Sequence, residues 1–365
     1  MDRVFFTITP RDPIIARDGR PFNSGNRMKA VDWIYPSVTA GSLRTLVGKA
    51  LGRFEPDELR KVEVSGALPV RRDELYVPIP NDCVLRAESK EYPAAAFEVR
   101  PREVLAECSN LPDGLWPVML PKDAGDDFKP ANGPAFIRVG LMERWLSGGS
   151  WKYPFEPDDQ VSKIEKDERS HVAIDAERGS AAESKLYSTT GLVLPRDVSL
   201  QVRTGGAGTV AGTHPLGGER RLASWTAAPA AKGWNCPAEV AKSLAKTSRV
   251  RLVLATPALF GKGWQPRWLS EGAAVPGTNV RLKLRGACVG RGRAISGWSM
   301  EDGRFGPKAS RRMAPAGSVY FCEVTEGKAE NLVSAWMEAV SDLDQDRKDG
   351  FGLAMWGVWT ERENS

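Results

Sequence analysis

RVFFTITPRDPIIARDGRPFNSGNRMKAVDWIYPSVTAGSLRTLVGKALG, residues 3–52, decides how the fold begins. Its first stretch, RVFFTITP (3–10), alternates and is rich in β-branched and aromatic side chains, so it reads as a strand. In PSVTAGSLRTLVGKALG (36–52), Leu43, Leu46, Val47, Ala50 and Leu51 follow the i, i+3, i+4, i+7, i+8 spacing of one buried helical face. Ser37 or Thr39 can cap the start of that helix, and Gly52 can end it. Between strand and helix, residues 16–33 set Arg17, Arg20, Arg27 and Lys29 among glycine, serine and asparagine breaks. The chain therefore opens as strand, long cationic loop, helix.

Further on, ELYVPIPNDCVLRA (74–87) and AAFEVRPREVL (95–105) read as strands, 109–135 as a Pro- and Gly-rich loop, and LMERWLSG (141–148) as a short helix. KLYSTTGLVL (185–194) and VSLQVRT (198–204) are strand candidates, and 205–221 is a glycine-rich loop with a basic end. A second unit is expected from about residue 248. It holds strands at SRVRLVLATP (248–257), NVRLKLRGACV (279–289) and SVYFCEVT (318–325), and an amphipathic helix at KAENLVSAWMEAVSDL (328–343). A glycine turn then feeds a last strand within GFGLAMWGVWT (350–360). That order is compatible with a ferredoxin-like β-α-β-β-α-β unit, and the strand–helix opening suits the same fold with large insertions. The expected class is α+β: two ferredoxin-like (RRM-like) domains with large loop insertions. The domains are expected over 1–247, with insertions at roughly 106–184, and over 248–365.

With 365 residues, 41% hydrophobic and 27% charged, the chain has the composition of a soluble globular protein long enough for two or three domains. Its net charge of +5 is small, but the charges cluster by sign. Residues 1–52 carry eight Lys/Arg against four Asp/Glu, and 281–312 carry nine against two, whereas 156–178 carry eight acids against four bases. A polyanion-binding face requires such clustering, because counterions are released where cations concentrate; solvated surface is the alternative. The acidic stretch 156–178 is expected to be exposed and partly mobile. Five cysteines, none in a C-x-x-C, argue against a disulfide framework or thiolate zinc site and fit a reducing cytoplasm. The start lacks the apolar core of a signal peptide, and no run approaches eighteen apolar residues.

Several chemistries are disfavoured. GFGLAMWG (350–357) has the form G-x-G-x-x-x-x-G, but it lies between a helix and a strand, the wrong order for dinucleotide binding. No Walker pattern and no H-x-x-x-H cluster occurs, and no metal or cofactor is expected. Only His171 and His214 could act as histidine acid or base. The constellation that remains is the cationic loop with the start of the helix. A helix N-terminus carries free N–H donors and positive potential, and Arg can fork onto phosphate or stack on bases. Ser37, Thr39, Ser42 and Arg44 lie there.

ITPRDPIIARDGRPFNSG (8–25) followed by YPSVTAGSLRTLVG (35–48) resembles the N-terminal signature of the third subunit of the Cmr complex, the type III-B CRISPR effector built largely from RAMP-superfamily proteins. The likeness continues in order. ERSHVAIDAERGSAAESKLYSTTGLVL (168–194) resembles an internal motif of that family, which usually has a basic residue and a glycine where His171 and Val172 stand. HPLGGERRLASW (214–225) resembles its G-G-E-x-R segment, and ISGWSMEDGRFGPKASRRMAPAGSVYFCEV (295–324) its G-W…P-K…R…P-A-G-S-V-Y block. GFGLAMWG resembles the glycine-rich loop of the superfamily.

The resemblance implies a non-catalytic scaffold that grips the repeat-derived 5′ tag of the guide RNA. It would dock the large polymerase-like subunit and the first backbone subunit, in antiviral defence. Single-stranded tags are held through phosphates, 2′-hydroxyls and splayed bases. The opening loop would supply Arg17, Arg20, Phe22, Asn26, Arg27 and Lys29, and the helix start Ser37, Thr39, Ser42 and Arg44. The closing loop would let backbone approach RNA at Gly350 and Gly352. Arg220, Arg221, Lys308, Arg311 and Arg312 are second-rank candidates, facing RNA or partner subunits. Two alternatives stand beside this reading. One is a metal-independent RAMP endoribonuclease that processes guide precursors, with His171 or His214 as its catalytic candidate; the other is an adaptor that touches no RNA.

Overall fold

The computed structural model describes residues 3–17, 31–90, 92–103, 110–112, 114–125, 128–208, 210–299 and 306–360. In chain order these form β1 (Arg3–Pro10), β2 (Ile14–Ile15), α1 (Pro36–Ala50), α2 (Pro56–Lys61), β3 (Glu63–Arg71), β4 (Glu74–Pro78), β5 (Cys83–Arg86) and β6 (Ala95–Glu98). Then follow β7 (Arg100–Pro101), β8 (Val118–Met119), β9 (Phe136–Arg138), α3 (Val139–Leu146), β10 (Gln160–Val161), β11 (Glu165–Ile174), β12 (Ala181–Val193), β13 (Ser199–Gly205), β14 (Gly212–Pro215) and β15 (Leu222–Ala228). The remainder is α4 (Ala238–Leu244), β16 (Arg249–Leu254), α5 (Arg267–Ser270), β17 (Arg281–Cys288), β18 (Arg293–Ile295), β19 (Trp298–Ser299), β20 (Gly306–Pro307), β21 (Arg311–Met313), β22 (Val319–Glu326), α6 (Asp344–Lys348) and β23 (Ala354–Val358). This is a mixed α+β chain with antiparallel sheets, the class expected.

By contacts the chain divides into two interleaved units, not into the contiguous halves expected at 247/248. The first comprises Met1–Ala67, Ile164–Pro229 and Arg293–Arg312; the second comprises Leu68–Lys163, Ala230–Gly292 and Met313–Ser365. In the first unit, neighbouring strands run β3-β13-β1-β15-β14. Counting β1, β3, β13 and β15 in chain order, the spatial order is second, third, first, fourth. β1 is antiparallel to both β13 and β15, with Phe6 opposite Val202 and Ile8 opposite both Leu200 and Trp225. Alternation drives Phe6 and Ile8 of β1 inward to complete burial, while Phe5 and Thr7 stay half-buried. α1 adds Ala40, Leu43, Leu46 and Val47 to the core; of the stripe that the spacing marked, Leu43, Leu46 and Val47 are buried, whereas Ala50 and Leu51, at the end of the helix, are exposed. It ends as expected: Gly52 adopts φ +65° and donates its N–H to Lys49 O at 3.1 Å.

The second unit repeats the strand order. β17-β22-β16-β23 is an antiparallel sheet, and counting β16, β17, β22 and β23 in chain order again gives second, third, first, fourth. Two crossovers joined by a hairpin generate this order. β16 and β23 are buried on both faces, which explains their nearly continuous apolar sequences. A smaller antiparallel group of β4, β9 and β10 also belongs to this unit.

Three segments depart from the secondary structure read from the sequence. Residues 328–343 do not form one helix: a 3-10 helix spans Ala329–Ala335 and then the backbone extends. Met337 takes φ +54° and donates its N–H to Ala354 O at 2.7 Å, and Val340 N–H bonds Gly352 O at 2.9 Å. The edge of β23 has thus recruited the second half of the apolar segment. Residues 156–178 are largely exposed, as expected, but they contain a strand that the sequence reading did not place: Glu165–Ile174 is β11 of a long hairpin with β12, from Glu165 opposite Val193 to Val172 opposite Leu186. The glycine-rich 205–221 contains β14, paired with β15 from Gly212 opposite Trp225.

Candidate functional site

The first unit contains a cleft of about 1110 Å³. One wall is a stripe of α1 made by Val38, Gly41, Ser42, Thr45 and Lys49. The spacing 38, 42, 45, 49 places these residues on one side of the helix, and Gly41 keeps that side low. The opposite walls are β2 with Arg17 just after it, Tyr187 and Thr189 of β12, and His214 to Glu219.

Glycine makes the floor possible. Gly218 N–H donates to Ile15 O at 2.7 Å. Gly217 has φ +84°, and a Cβ there would sit 2.3 Å from Ile15 O. On the neighbouring strand, a Cβ at Gly191 would lie 2.6 Å from Pro13 Cβ, which lets β12 pair closely with β2. Ser42 Oγ donates to Pro215 O at 2.6 Å and so ties the α1 stripe to the turn.

Both histidines converge on this region. His214 is buried on β14 and lines the cleft. Burial, with the nearby Lys49 charge, pushes its imidazole below the usual histidine range. His171 pairs across the hairpin with Tyr187, their rings stacked at 5.0 Å, and its Nε2 lies 2.8 Å from Thr189 Oγ1. Tyr187 and Thr189 in turn line the cleft. Arg17 and Lys49 are exposed there as cations, against the single carboxylate Glu219.

The candidates named from the sequence separate into groups. Arg17 and Ser42 line the cleft. Arg220, at φ +51°, and the half-buried Arg221 follow its glycine turn, and Arg221 Nε is buried without a hydrogen-bond partner among the described residues. Arg20, Phe22, Asn26, Arg27 and Lys29 lie outside the described residues. Ser37 is half-buried in the first turn of α1. Thr39 is fully buried and its hydroxyl donates to Pro36 O at 2.9 Å, so it is not presented to a ligand. Neither Ser37 nor Thr39 caps α1; the cap position is Tyr35, with Pro36 opening the helix. Arg44 is engaged internally, its Nε and Nη2 donating to Val62 O at 3.1 and 2.8 Å.

Lys308, Arg311 and Arg312 are exposed on the ribbon built from β18 to β21. Gly350 and Gly352 are buried in the second unit. Thr256 Oγ1 donates to Gly350 O at 2.8 Å and accepts the Gly352 N–H at 3.0 Å, while a Cβ at Gly352 would meet Ser341 Oγ at 2.9 Å. The close backbone approach anticipated there is made to the protein's own chain. Sequence reasoning missed Lys49, Thr45, Tyr187 and Thr189; the repeat of small and polar residues along α1 opposite its apolar stripe was the available signal. Among the described residues no group of three or more His, Cys, Asp or Glu could hold a metal ion. No described helix is long and apolar enough to cross a membrane.

Comparison with known proteins gives two findings. The family model described as "CRISPR-associated protein (Cas_Cmr3)" matches residues 6–359. No curated protein matches the chain. Among solved structures, a chain in the cryo-EM structure of the "Type III-B Cmr-beta bound to cognate target RNA and AMPPnP, state 1" is similar, at 13% identity and a TM-score of 0.51, covering 87% of this chain and 86% of that one. A chain of the same assembly "bound to cognate target RNA" is similar at 13% identity and a TM-score of 0.50, with the same coverage.

Proposed function

The chain belongs to the Cas_Cmr3 family of CRISPR-associated proteins, and from that membership we propose that it is a non-catalytic RNA-binding subunit of a type III-B effector that anchors the repeat-derived 5′ tag of the guide. Its two repeats of one strand order are read as ferredoxin-like domains with insertions. The observation that carries the tag-binding reading is the cleft, where Arg17 and Lys49 face a floor made by the Gly217–Gly218 turn. Extended RNA needs a cationic groove, a place for a base to stack and close backbone approach. Arg17 and Lys49 supply the first, Tyr187 the second and the glycine turn the third. Arg20, Phe22, Asn26, Arg27 and Lys29 follow Arg17 in the sequence and are assigned to the same RNA contact. The large polymerase-like subunit and the first backbone subunit are its proposed protein partners.

The test is photo-crosslinking of guide RNA within the assembled complex. Crosslinks from the tag to peptides containing residues 15–17, 41–49, 187–189 or 214–221 are expected. Tag crosslinks confined to other peptides sink the assignment. A second reading, a metal-independent endoribonuclease, draws on His214 and Tyr187 sharing that cleft. Incubating the pure protein with repeat RNA and EDTA separates the two, since site-specific cuts lost in His214→Ala would favour the enzyme.

A further inference from the structure

In the second unit, TPALFGKGWQPRW (256–268) follows β16 and sets Lys262 between two glycines just before Trp264. One carboxylate closes both ends of the loop: Gly261 N–H donates to Asp342 Oδ2 at 2.7 Å and Arg267 N–H to Asp342 Oδ1 at 2.9 Å. Inside it, Gly263 takes φ +84° and donates its N–H to Phe260 O at 2.9 Å, and Trp264 N–H donates to Lys262 O at 3.2 Å. The hydroxyl of buried Tyr320 donates to Trp264 O, and the Tyr320 ring lies parallel to the indole with centroids 6.4 Å apart. Trp268 is buried and donates its Nε1–H to Val340 O at 3.0 Å. Arg347 Nη1 donates to Ser341 O at 2.9 Å and to Asp342 O at 3.0 Å, which fixes the backbone that carries Asp342 and Leu343.

Held this firmly, the two segments still present large apolar side chains to solvent: Trp264 is 39% exposed and Leu343 53%. Residues 256–268 and 339–349 are all among the described residues. A lone exposed apolar side chain is ordinary. Here Leu343 directly follows the carboxylate on which the Trp264 loop closes, so two such side chains are carried on segments joined at one residue. Lys262 and Arg267 are exposed beside Trp264 in the sequence. The neighbouring acids are already engaged: Asp342 accepts the two backbone N–H groups, and Asp344 pairs with Lys348 at 2.8 Å and Arg347 at 3.4 Å. The charge left for a ligand is therefore positive.

Trp and Arg are the residue types that carry most binding energy at protein interfaces. A loop already fixed in one conformation loses little entropy when it docks. An exposed leucine offers nothing to a phosphate chain, and the carboxylates of Asp342 and Asp344 oppose one, so the chemistry favours a protein over RNA. We propose that loop 261–267 with Leu343 is a docking surface for another protein subunit, one with an apolar pocket for Trp264 and carboxylates facing Lys262 and Arg267. This rests on the reading of the chain as a subunit of a type III-B effector, but not on the assignment of the tag to the cleft.

The test titrates the full chain against the large polymerase-like subunit and the first backbone subunit of the same effector, each purified separately. The variants are Trp264→Ala, Leu343→Ser and Lys262→Glu/Arg267→Glu, with thermal unfolding as the control that each is folded. Truncating a hot-spot residue costs about thirtyfold in affinity. Trp264→Ala is expected to weaken binding to one subunit by that factor, and Leu343→Ser to weaken binding to the same one. The charge reversal should slow association with that subunit at low salt and match the unaltered chain at high salt. Its side chains are exposed, so it decides the matter should Trp264→Ala unfold. A loss confined to guide RNA overturns the proposal, because Trp264 would then be a base-stacking platform; a loss confined to self-association does so too, because the partner would be a second copy. Subunit binding that is normal and insensitive to all three variants removes the docking surface alone. An unaltered chain that binds neither subunit removes the scaffold reading and the docking surface with it.

Discussion

Arg251 is the residue on which the second unit is most exposed to damage. It is fully buried on β16, and its Nη1 donates to Asp82 Oδ2 at 2.8 Å and to Glu98 Oε1 at 2.6 Å. Nη2 donates to Trp145 O, and Trp145 Nε1 donates to Asp82 Oδ1 at 3.0 Å. Removing one partner of a buried ionic network costs more than the network itself contributes, because the remaining charge stays desolvated. Arg251→Leu should therefore lower the stability of unfolding by about 3–5 kcal/mol, read by urea denaturation; a loss under 1 kcal/mol would contradict the account. Asp82 supplies a pH test. Burial, opposed by Arg251 and reinforced by Glu98, raises its carboxyl to about 6. The folded state then holds a proton there that the unfolded chain has lost, so this stabilising contribution is complete below about pH 4 and disappears as pH rises through about 6. The stability difference between the protein and Asp82→Asn should thus fall across that window, by up to about 3 kcal/mol. A difference that is flat from pH 4 to 7 would show that Asp82 is ionised throughout.

At the scale of elements, α1 serves two purposes on two faces. Its apolar stripe was legible in the sequence because helical spacing is a local signal. Its cleft stripe was not, since small and polar residues on the far side of a helix look like ordinary surface until β12, β14 and β2 are brought opposite. Gly41 separates the two purposes. An added Cβ there meets nothing within 4 Å, so larger side chains fit and helix propensity should rise. Gly41→Ala is expected to stabilise the protein by about 0.5–1 kcal/mol. Gly41→Glu should leave stability within that range and weaken tag RNA binding, because it sets a carboxylate among Arg17 and Lys49. Equal RNA affinity for the Ala and Glu variants would exclude the cleft as a phosphate site. Gly217 behaves in the opposite way. With φ +84° and a Cβ position 2.3 Å from Ile15 O, Gly217→Ala must move backbone as well as strain it. A loss of about 2 kcal/mol or more in thermal or urea unfolding is expected, since strain at a positive φ alone is about 1–2 kcal/mol. The long hairpin of β11 and β12 was half legible: β12 carries an apolar run, while β11 is exposed on both faces and so offers no period for a reader to find.

At the scale of the whole molecule, the two strand sets could be anticipated one by one, but their interleaving could not. Strand patterns are local, whereas which distant segments share a core depends on pairings that no window of sequence contains. SRVRLVLATP announced β16 as a buried strand, yet nothing in it says that Arg251 would be neutralised by Asp82 and Glu98, residues more than 150 positions earlier. The boundary expected near 247/248 cuts through the second unit, which takes Leu68–Lys163 from one side of it and Ala230–Gly292 and Met313–Ser365 from the other. A polypeptide of residues 248–365 would keep β16, β17, β22 and β23 but strand Arg251 without either carboxylate. A polypeptide of 1–247 would keep Asp82 and Glu98 as buried acids with no Arg251 between them. Uncompensated buried charge of that kind costs several kcal/mol, comparable with the whole stability of a domain. Neither fragment should unfold cooperatively alone, while the two mixed together should recover a single transition and the near-UV signal of packed Trp145 and Trp356. A sharp two-state transition from 248–365 by itself would mean that the buried network is dispensable and that the contiguous division describes the energetics better than the contacts do.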